Sequence, residues 1–216
     1  MFRDREEAAG LLAAKLARYR GAHPLVLGIP RGAVVMAAII AAELDGDLDV
    51  ALVRKLGAPG QPELAVGAVD ETGRVTLDGA AADLGVDAGY LERERRRQTA
   101  ALQERRARYT PARAPVDPAG RTVIVVDDGI ATGATLAAAL RLVRAQEPAR
   151  LVAAAAVAPP QAVRRLRCFA DDVVVLACPE TFIAVGTFFD DFRQVEDAEV
   201  IDLLERFGKR RGAGKG

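Results

Sequence analysis

The run Val123-Ile124-Val125-Val126-Asp127-Asp128-Gly129-Ile130-Ala131-Thr132-Gly133-Ala134-Thr135 constrains this chain more than any other segment. Four apolar residues end in two adjacent carboxylates, a small loop rich in Gly and Thr follows, and Leu136 to Val143 is apolar at helical spacing. The pattern predicts strand, acidic turn, loop and helix in succession. In an open parallel sheet, ligands bind beyond the carboxyl ends of the strands. Loop amides that open onto a helix N-terminus suit a phosphate, because unpaired N–H groups and the helix dipole both favour an anion. The Thr132 and Thr135 hydroxyls add donors. Two carboxylates beside such a cradle would repel a phosphate unless the ligand also carries a polar neutral part. A sugar diol next to a phosphate resolves the conflict, with carboxylates accepting from hydroxyls and amides holding the phosphate.

The rest of the chain reads as alternating helices and apolar strands. Residues 3 to 20 carry Ala8, Leu11, Leu12 and Leu16 at helical spacing, an amphipathic helix. Pro24 to Ile29 predicts a strand, Pro30-Arg31-Gly32 a turn, and Ala33 to Leu44 a buried helix. Leu48 to Val53 predicts the next strand, ending in Arg54-Lys55, and Gly57 to Pro62 a flexible loop with two Gly and two Pro. Leu64 to Val69 and Arg74 to Leu77 read as strands that form a hairpin across Asp70 to Gly73. Residues 87 to 109 are helical and dense in Arg and Glu, and Tyr109 to Gly120 reads as a linker. Strands at 122–126, 150–157 and 172–177 alternate with helices at 134–145 and 159–168, residues 179 to 192 are irregular and aromatic, and Val195 to Phe207 closes with a helix. Strands that are apolar without alternation are covered on both faces, so the expected fold is α/β, an open, mostly parallel sheet with helices on both faces. One domain over 1–207 is expected, with a core at about 22–200, a helical insertion at about 86–112 and a disordered Gly- and Lys/Arg-rich tail at 208–216.

Composition removes several classes of chemistry. The chain has 216 residues, no Ser and no Asn, which removes a serine nucleophile elbow. His23, the only His, precedes Pro24 at a strand start and reads as a loop residue. Cys168 and Cys178 lack metal-ligand spacing and read as buried thiols in a reducing cytoplasm. No Walker pattern occurs, and no G-x-G-x-x-G follows a strand. A formal net charge of zero argues against recruitment of nucleic acid or an anionic membrane by a global field. The charged N-terminus lacks the apolar core of a signal peptide, and no apolar run is long enough to span a bilayer. A cytoplasmic location is expected.

The segment Val123 to Thr135 resembles the signature of the type I phosphoribosyltransferases, which bind 5-phosphoribosyl 1-diphosphate (PRPP): four apolar residues, two acidic residues, three variable positions, then Thr-Gly-x-Thr. The resemblance implies that Ala131, Thr132, Gly133, Ala134 and Thr135 hold the 5-phosphate. It implies that Asp127 and Asp128 bind the ribose hydroxyls and complement positive charge developing on the ribose ring. Mg²⁺ is implied as the cofactor that travels with PRPP, with Asp127 and Asp128 approaching it through water. Gly28-Ile29-Pro30-Arg31-Gly32 looks like the family's diphosphate loop, which assigns Pro30, Arg31 and Gly32 to that group and points to Pro30–Arg31 as the family's unusual cis peptide. Arg54-Lys55 is similar to the pair that precedes the mobile catalytic loop of the adenine enzymes. Here that loop would be Leu56 to Ala65, with Arg54 and Lys55 offsetting charge on the leaving diphosphate. Glu180 to Phe192 looks like the family's hood over the acceptor base, where Phe182 or Phe188 stacks a planar ring beside Ile183.

The implied activity is transfer of phosphoribose from PRPP to a nitrogenous, purine-like base with release of diphosphate. Hypoxanthine–guanine enzymes of the family carry an Asp where this chain has Ala131, which argues against a 6-oxopurine enzyme of that build. Ala at this place resembles the adenine enzymes, and Glu63 in the expected mobile loop is a candidate base by location. The alternatives are a PRPP-sensing regulator without turnover and, less well fitted to the length, a PRPP synthase. The resemblance further implies a homodimer. The arginine-rich helix 87–109 reads as a solvated face laced with Glu–Arg pairs.

Overall fold

The computed structural model describes residues 1–77 and 84–213. Five parallel strands form the main sheet: β1 (Leu25–Gly28), β2 (Asp47–Val50), β6 (Thr122–Gly129), β7 (Arg150–Val157) and β8 (Asp172–Ala177). Their order is β2-β1-β6-β7-β8, all pairs parallel, with Gly28 in register with both Val50 and Val126. The chain winds outward from β1 to one edge and from β6 to the other. The β1/β6 junction is therefore the switch point, and the crevice beyond it is where an open α/β sheet binds ligands.

Successive strand residues point to opposite faces, and both faces are capped by apolar helices. Leu25, Leu27, Val123, Val125, Leu151 and Ala153 pack with α4 (Ala134–Arg144) and α5 (Pro160–Leu166). Val26, Ile124, Val126, Val152 and Ala154 pack with α1 (Arg5–Lys15), α2 (Gly32–Glu43) and α6 (Asp197–Ala213). Two cores, one per face, leave no place for polar alternation, so the strands read as continuous apolar runs.

A second sheet stands outside this frame. β3 (Val53–Ala58), β4 (Gln61–Asp70) and β5 (Val75–Leu77) form an antiparallel meander. It corrects two expectations. The second parallel strand ends at Val50, so Arg54 and Lys55 belong to β3 in the smaller sheet. The segment Leu56 to Ala65 is a β3–β4 hairpin with register shifts at Leu56/Gly57 and Gly57/Ala58, where a mobile loop was expected. Gly residues at such irregularities suit a bulged hairpin as well as they suit a loop. Glu63 falls in β4, and its side chain lies outside the described residues.

The arginine-rich helix α3 (Ala88–Tyr109) is capped by Asp87, which accepts from the Tyr90 N–H at 2.9 Å. It packs on β3 and β4, and the Tyr90 hydroxyl donates to the Gly57 carbonyl at 3.0 Å. Its outer face carries the expected ladder, with Glu92 bonded to Arg95 and Arg96, Glu94 to Arg97 and Glu104 to Arg108. Arg105 and Arg106 depart from that reading. Arg106 is held by buried Asp49 and by Glu71, each at 2.8 Å.

Three smaller differences complete the comparison. Cys168 and Cys178 are exposed thiols rather than buried ones. Helix α6 continues to Ala213, so 208–213 of the expected tail are helical, and 214–216 lie outside the described residues. The expected irregular aromatic segment contains a single helical turn, Val185–Phe188. Among the described residues no helix is long and apolar enough to cross a membrane.

Candidate active site

The β6 strand carries its apolar residues into the core and then delivers Asp127 and Asp128 to the crevice. Asp127 is half-buried, and the Asp128 N–H donates to its Oδ1 at 3.0 Å. Removal from water, followed by repulsion from Asp128, pushes the Asp127 carboxyl up to about 8. Asp128 is met by a residue the sequence reading missed. Arg5, at the first turn of α1, donates from Nε and Nη2 to Asp128 Oδ2 at 3.0 and 2.9 Å. Arg5 is 8% exposed, donates to the Arg193 carbonyl at 2.8 Å, and lies 3.8 Å from the centre of the Phe192 ring. A buried guanidinium needs a carboxylate partner, and Asp128 is that partner. A lone Arg in an amphipathic helix, 123 residues away in sequence, carried no signal of this.

The Pro30–Arg31–Gly32 turn closes against the same pair. The Pro30–Arg31 peptide is cis, as the resemblance implied. A Cβ at Gly32 would collide with Asp128 Oδ2 and come within 2.8 Å of the Arg5 guanidinium, so only glycine lets the turn approach this closely. Arg31 reaches away from the turn to Glu196 at 2.8 Å.

The Ala131 to Thr135 loop opens onto α4. Gly133 is the N-cap residue with φ of +77°, a left-handed conformation that excludes most side chains. The Thr132 Oγ1 accepts the Ala134 N–H at 3.4 Å, and Ala131, Thr132 and Thr135 are exposed. The remaining first-turn N–H groups of α4 have no partner inside the helix, an arrangement that favours an anion.

Arg54 and Lys55 are brought to this loop by β3, not by the parallel sheet. With Val53, Gln98, Arg105, Thr135 and Ala138 they line a cavity of about 350 Å³. Among the described residues, its lining holds three cations and no carboxylate. Arg105 comes from α3 and was not singled out by sequence. Its guanidinium donates to the Tyr109 hydroxyl and to Asp197 Oδ1, both at 3.1 Å. Asp197 follows Glu196, the partner of Arg31, so one helix start holds cations from both the 30–32 turn and the α3 wall.

The hood divides in two. Phe189 is buried between Phe2 and Phe192, and residues 2 and 3 form backbone bonds with Phe188, Asp190 and Asp191 that hold the segment down. Phe182 and Phe188 stack on each other at 5.4 Å with an interplanar angle of 28°. Ile183 is 83% exposed. Val185 fills the space over Gly129 at the end of β6. The expected acceptor residues are therefore a pair of stacked rings and one open aliphatic side chain. Among the described residues no group of three or more His, Cys, Asp or Glu is arranged to hold a metal ion.

The phosphoribosyl transferase domain family matches residues 3–187. A Mycobacterium tuberculosis relative, named "Putative phosphoribosyl transferase Rv0571c" in strain H37Rv and "Putative phosphoribosyl transferase MT0597" in strain CDC 1551, is 42% identical over 207 residues. That alignment takes in 95% of this chain and 47% of the relative, so the chain spans about half the length of the curated relatives it matches. The crystal structure of TT1426 from Thermus thermophilus superimposes with a TM-score of 0.89 at 47% identity, covering 96% of this chain and 99% of that one.

Proposed function

The chain belongs to the phosphoribosyl transferase family, and we propose that it transfers the 5-phosphoribosyl group of PRPP to a nitrogen of a purine-like base, releasing diphosphate. The observation that carries the reading is the junction of three elements at the β1/β6 switch point: the Asp127–Asp128 pair, the Gly133-capped start of α4, and the glycine turn at 30–32 packed on Asp128. In this reading the α4 amides and the Thr132 and Thr135 hydroxyls take the 5-phosphate, and Asp127 and Asp128 accept from the ribose 2- and 3-hydroxyls. As the bond from C1 to diphosphate lengthens, positive charge grows on the ring and the two carboxylates complement it. Arg54, Lys55 and Arg105, with the amides of the 30–32 turn, offset the charge gathering on the departing oxygens. The Phe182–Phe188 pair and Ile183 offer the acceptor an apolar flank.

Two adjacent carboxylates are hard donors that fit Mg²⁺ as long as water and substrate oxygens complete its shell. When bound, the ion would neutralise the diphosphate and sharpen it as a leaving group. Arg5 keeps Asp128 oriented by two N–H groups of one guanidinium that converge on its Oδ2.

The test is diphosphate release from PRPP and Mg²⁺ with adenine, hypoxanthine, guanine, xanthine, uracil and orotate in turn. Release with one base supports transfer and identifies the acceptor. PRPP binding without release from any base favours a sensor on the same fold, and absence of PRPP binding contradicts the proposal.

A further inference from the structure

The first turn of α1 holds a cation where a helix disfavours one. Arg5 is the first residue of that helix and faces the positive end of its dipole, so local preference does not place it there. The reach of its guanidinium does, because all three nitrogens are used, on two separate parts of the chain. Nε and Nη2 donate to Asp128 Oδ2 near the end of β6, at 3.0 and 2.9 Å, and Nη1 donates to the Arg193 carbonyl at 2.8 Å. The Phe192 ring lies under the same group, 3.8 Å from its centre. Phe192 stacks on Phe189 at 4.9 Å, and a Cβ at Gly186 would come within 3.2 Å of the Phe192 ring, so the 185–188 turn rests against it as well. Arg193 is fixed from its far end, where its guanidinium pairs with both oxygens of Glu199 at 2.8 Å. One buried side chain thus touches both the carboxylate pair and the chain that follows the hood.

We propose that Arg5 is a positioning residue that joins the two sides of the crevice, locking segment 188–193 to the Asp128 carboxylate so that neither shifts alone. The consequence for turnover rests on the transferase reading, in which Asp128 meets the ribose and the hood meets the base. The guanidinium is planar and its nitrogens are fixed relative to one another, so a movement at its Arg193 edge is passed to its Asp128 edge. At 8% exposure, water does not replace a bond that either edge loses. A lysine would carry the same charge on one nitrogen, which can serve one partner but cannot hold both.

Hydrogen exchange read by mass spectrometry tests the bridge without substrate, on the wild type, R5K, D128N and D127N, each checked for a native far-ultraviolet spectrum. The amides of Phe189, Asp190, Asp191 and Arg193 are all bonded, so their exchange reports opening of the segment. Exchange over 188–193 is expected to speed up about tenfold or more in D128N and in R5K. It is expected to stay near the wild-type rate in D127N, which changes the neighbouring carboxyl and keeps both partners of Arg5. Wild-type exchange in D128N and R5K, or an equal rise in D127N, would overturn the proposal. With PRPP saturating, R5K is further expected to raise the KM for the accepted base about fivefold or more, and an unchanged KM would overturn the link to the acceptor side. Absence of PRPP binding by the wild type would contradict the transferase reading instead, and the exchange rates would still decide the bridge.

Discussion

Because its carboxyl is pushed up to about 8, Asp127 retains its proton through much of the neutral range in the free chain. Two pH dependences of opposite sign follow. The folded-state value lies above the ordinary one of 3.8, so the stability this group contributes is complete below about pH 4 and is lost as pH rises through about 8. Asp127→Asn removes that loss. It is expected to melt at least about 2 °C above wild type at pH 9, with the difference vanishing at pH 4; a constant difference across that range would contradict the assignment. Turnover runs the other way. If the ionised carboxylate complements the ribose cation, kcat/KM for PRPP rises through about pH 8 and then levels. Asp128→Asn should move that midpoint down without returning it to 3.8, since burial is the larger cause and repulsion the smaller. Gly32 gives a steric counterpart. Gly32→Ala puts a methyl against Asp128 and Arg5, an overpacking that costs on the order of 1–3 kcal/mol unless the turn retreats. PRPP affinity is expected to fall more than tenfold by calorimetry; an affinity within twofold of wild type would show that the turn takes no part in binding.

Elements, more than residues, decide which cations reach the crevice. The β3–β4 hairpin presents Arg54 and Lys55 to Thr135, and α3 completes the wall with Arg105. Arg105→Gln is expected to raise the KM for PRPP about tenfold or more while kcat changes less. Arg108→Gln, one turn away and more exposed, should leave both nearly unchanged; equal effects from the two would reduce Arg105 to a surface charge. The existence and span of α3 were legible because 22 residues of strong helix formers need no tertiary context. The inward turn of Arg105 and Arg106 was not, because it depends on Asp197, Asp49 and Glu71, which lie far away in sequence. The hairpin was misread for a related reason. Gly57, Pro59, Gly60 and Pro62 have the composition of a mobile loop, and only pairing with β4 and the anchor from Tyr90 distinguish a bulged hairpin from one.

Over the whole molecule, the parallel sheet was readable because two apolar cores leave each strand a plain hydrophobic run, and the β6–loop–α4 junction because its residues are contiguous in sequence. What escaped was long-range support: Arg5 under Asp128, and the Phe2 backbone paired with Phe189 to hold down the hood. Both join the first few residues to a site built far later in the chain, and neither local propensity nor spacing encodes such a contact. The measurement that tests the account most directly is turnover of PRPP by Asp127→Asn/Asp128→Asn, with the base that the wild type accepts and with folding checked by circular dichroism. The account predicts a native spectrum and a loss of at least about 10²-fold in kcat, in line with removal of transition-state electrostatics. Near-wild-type turnover in a folded double variant would contradict it.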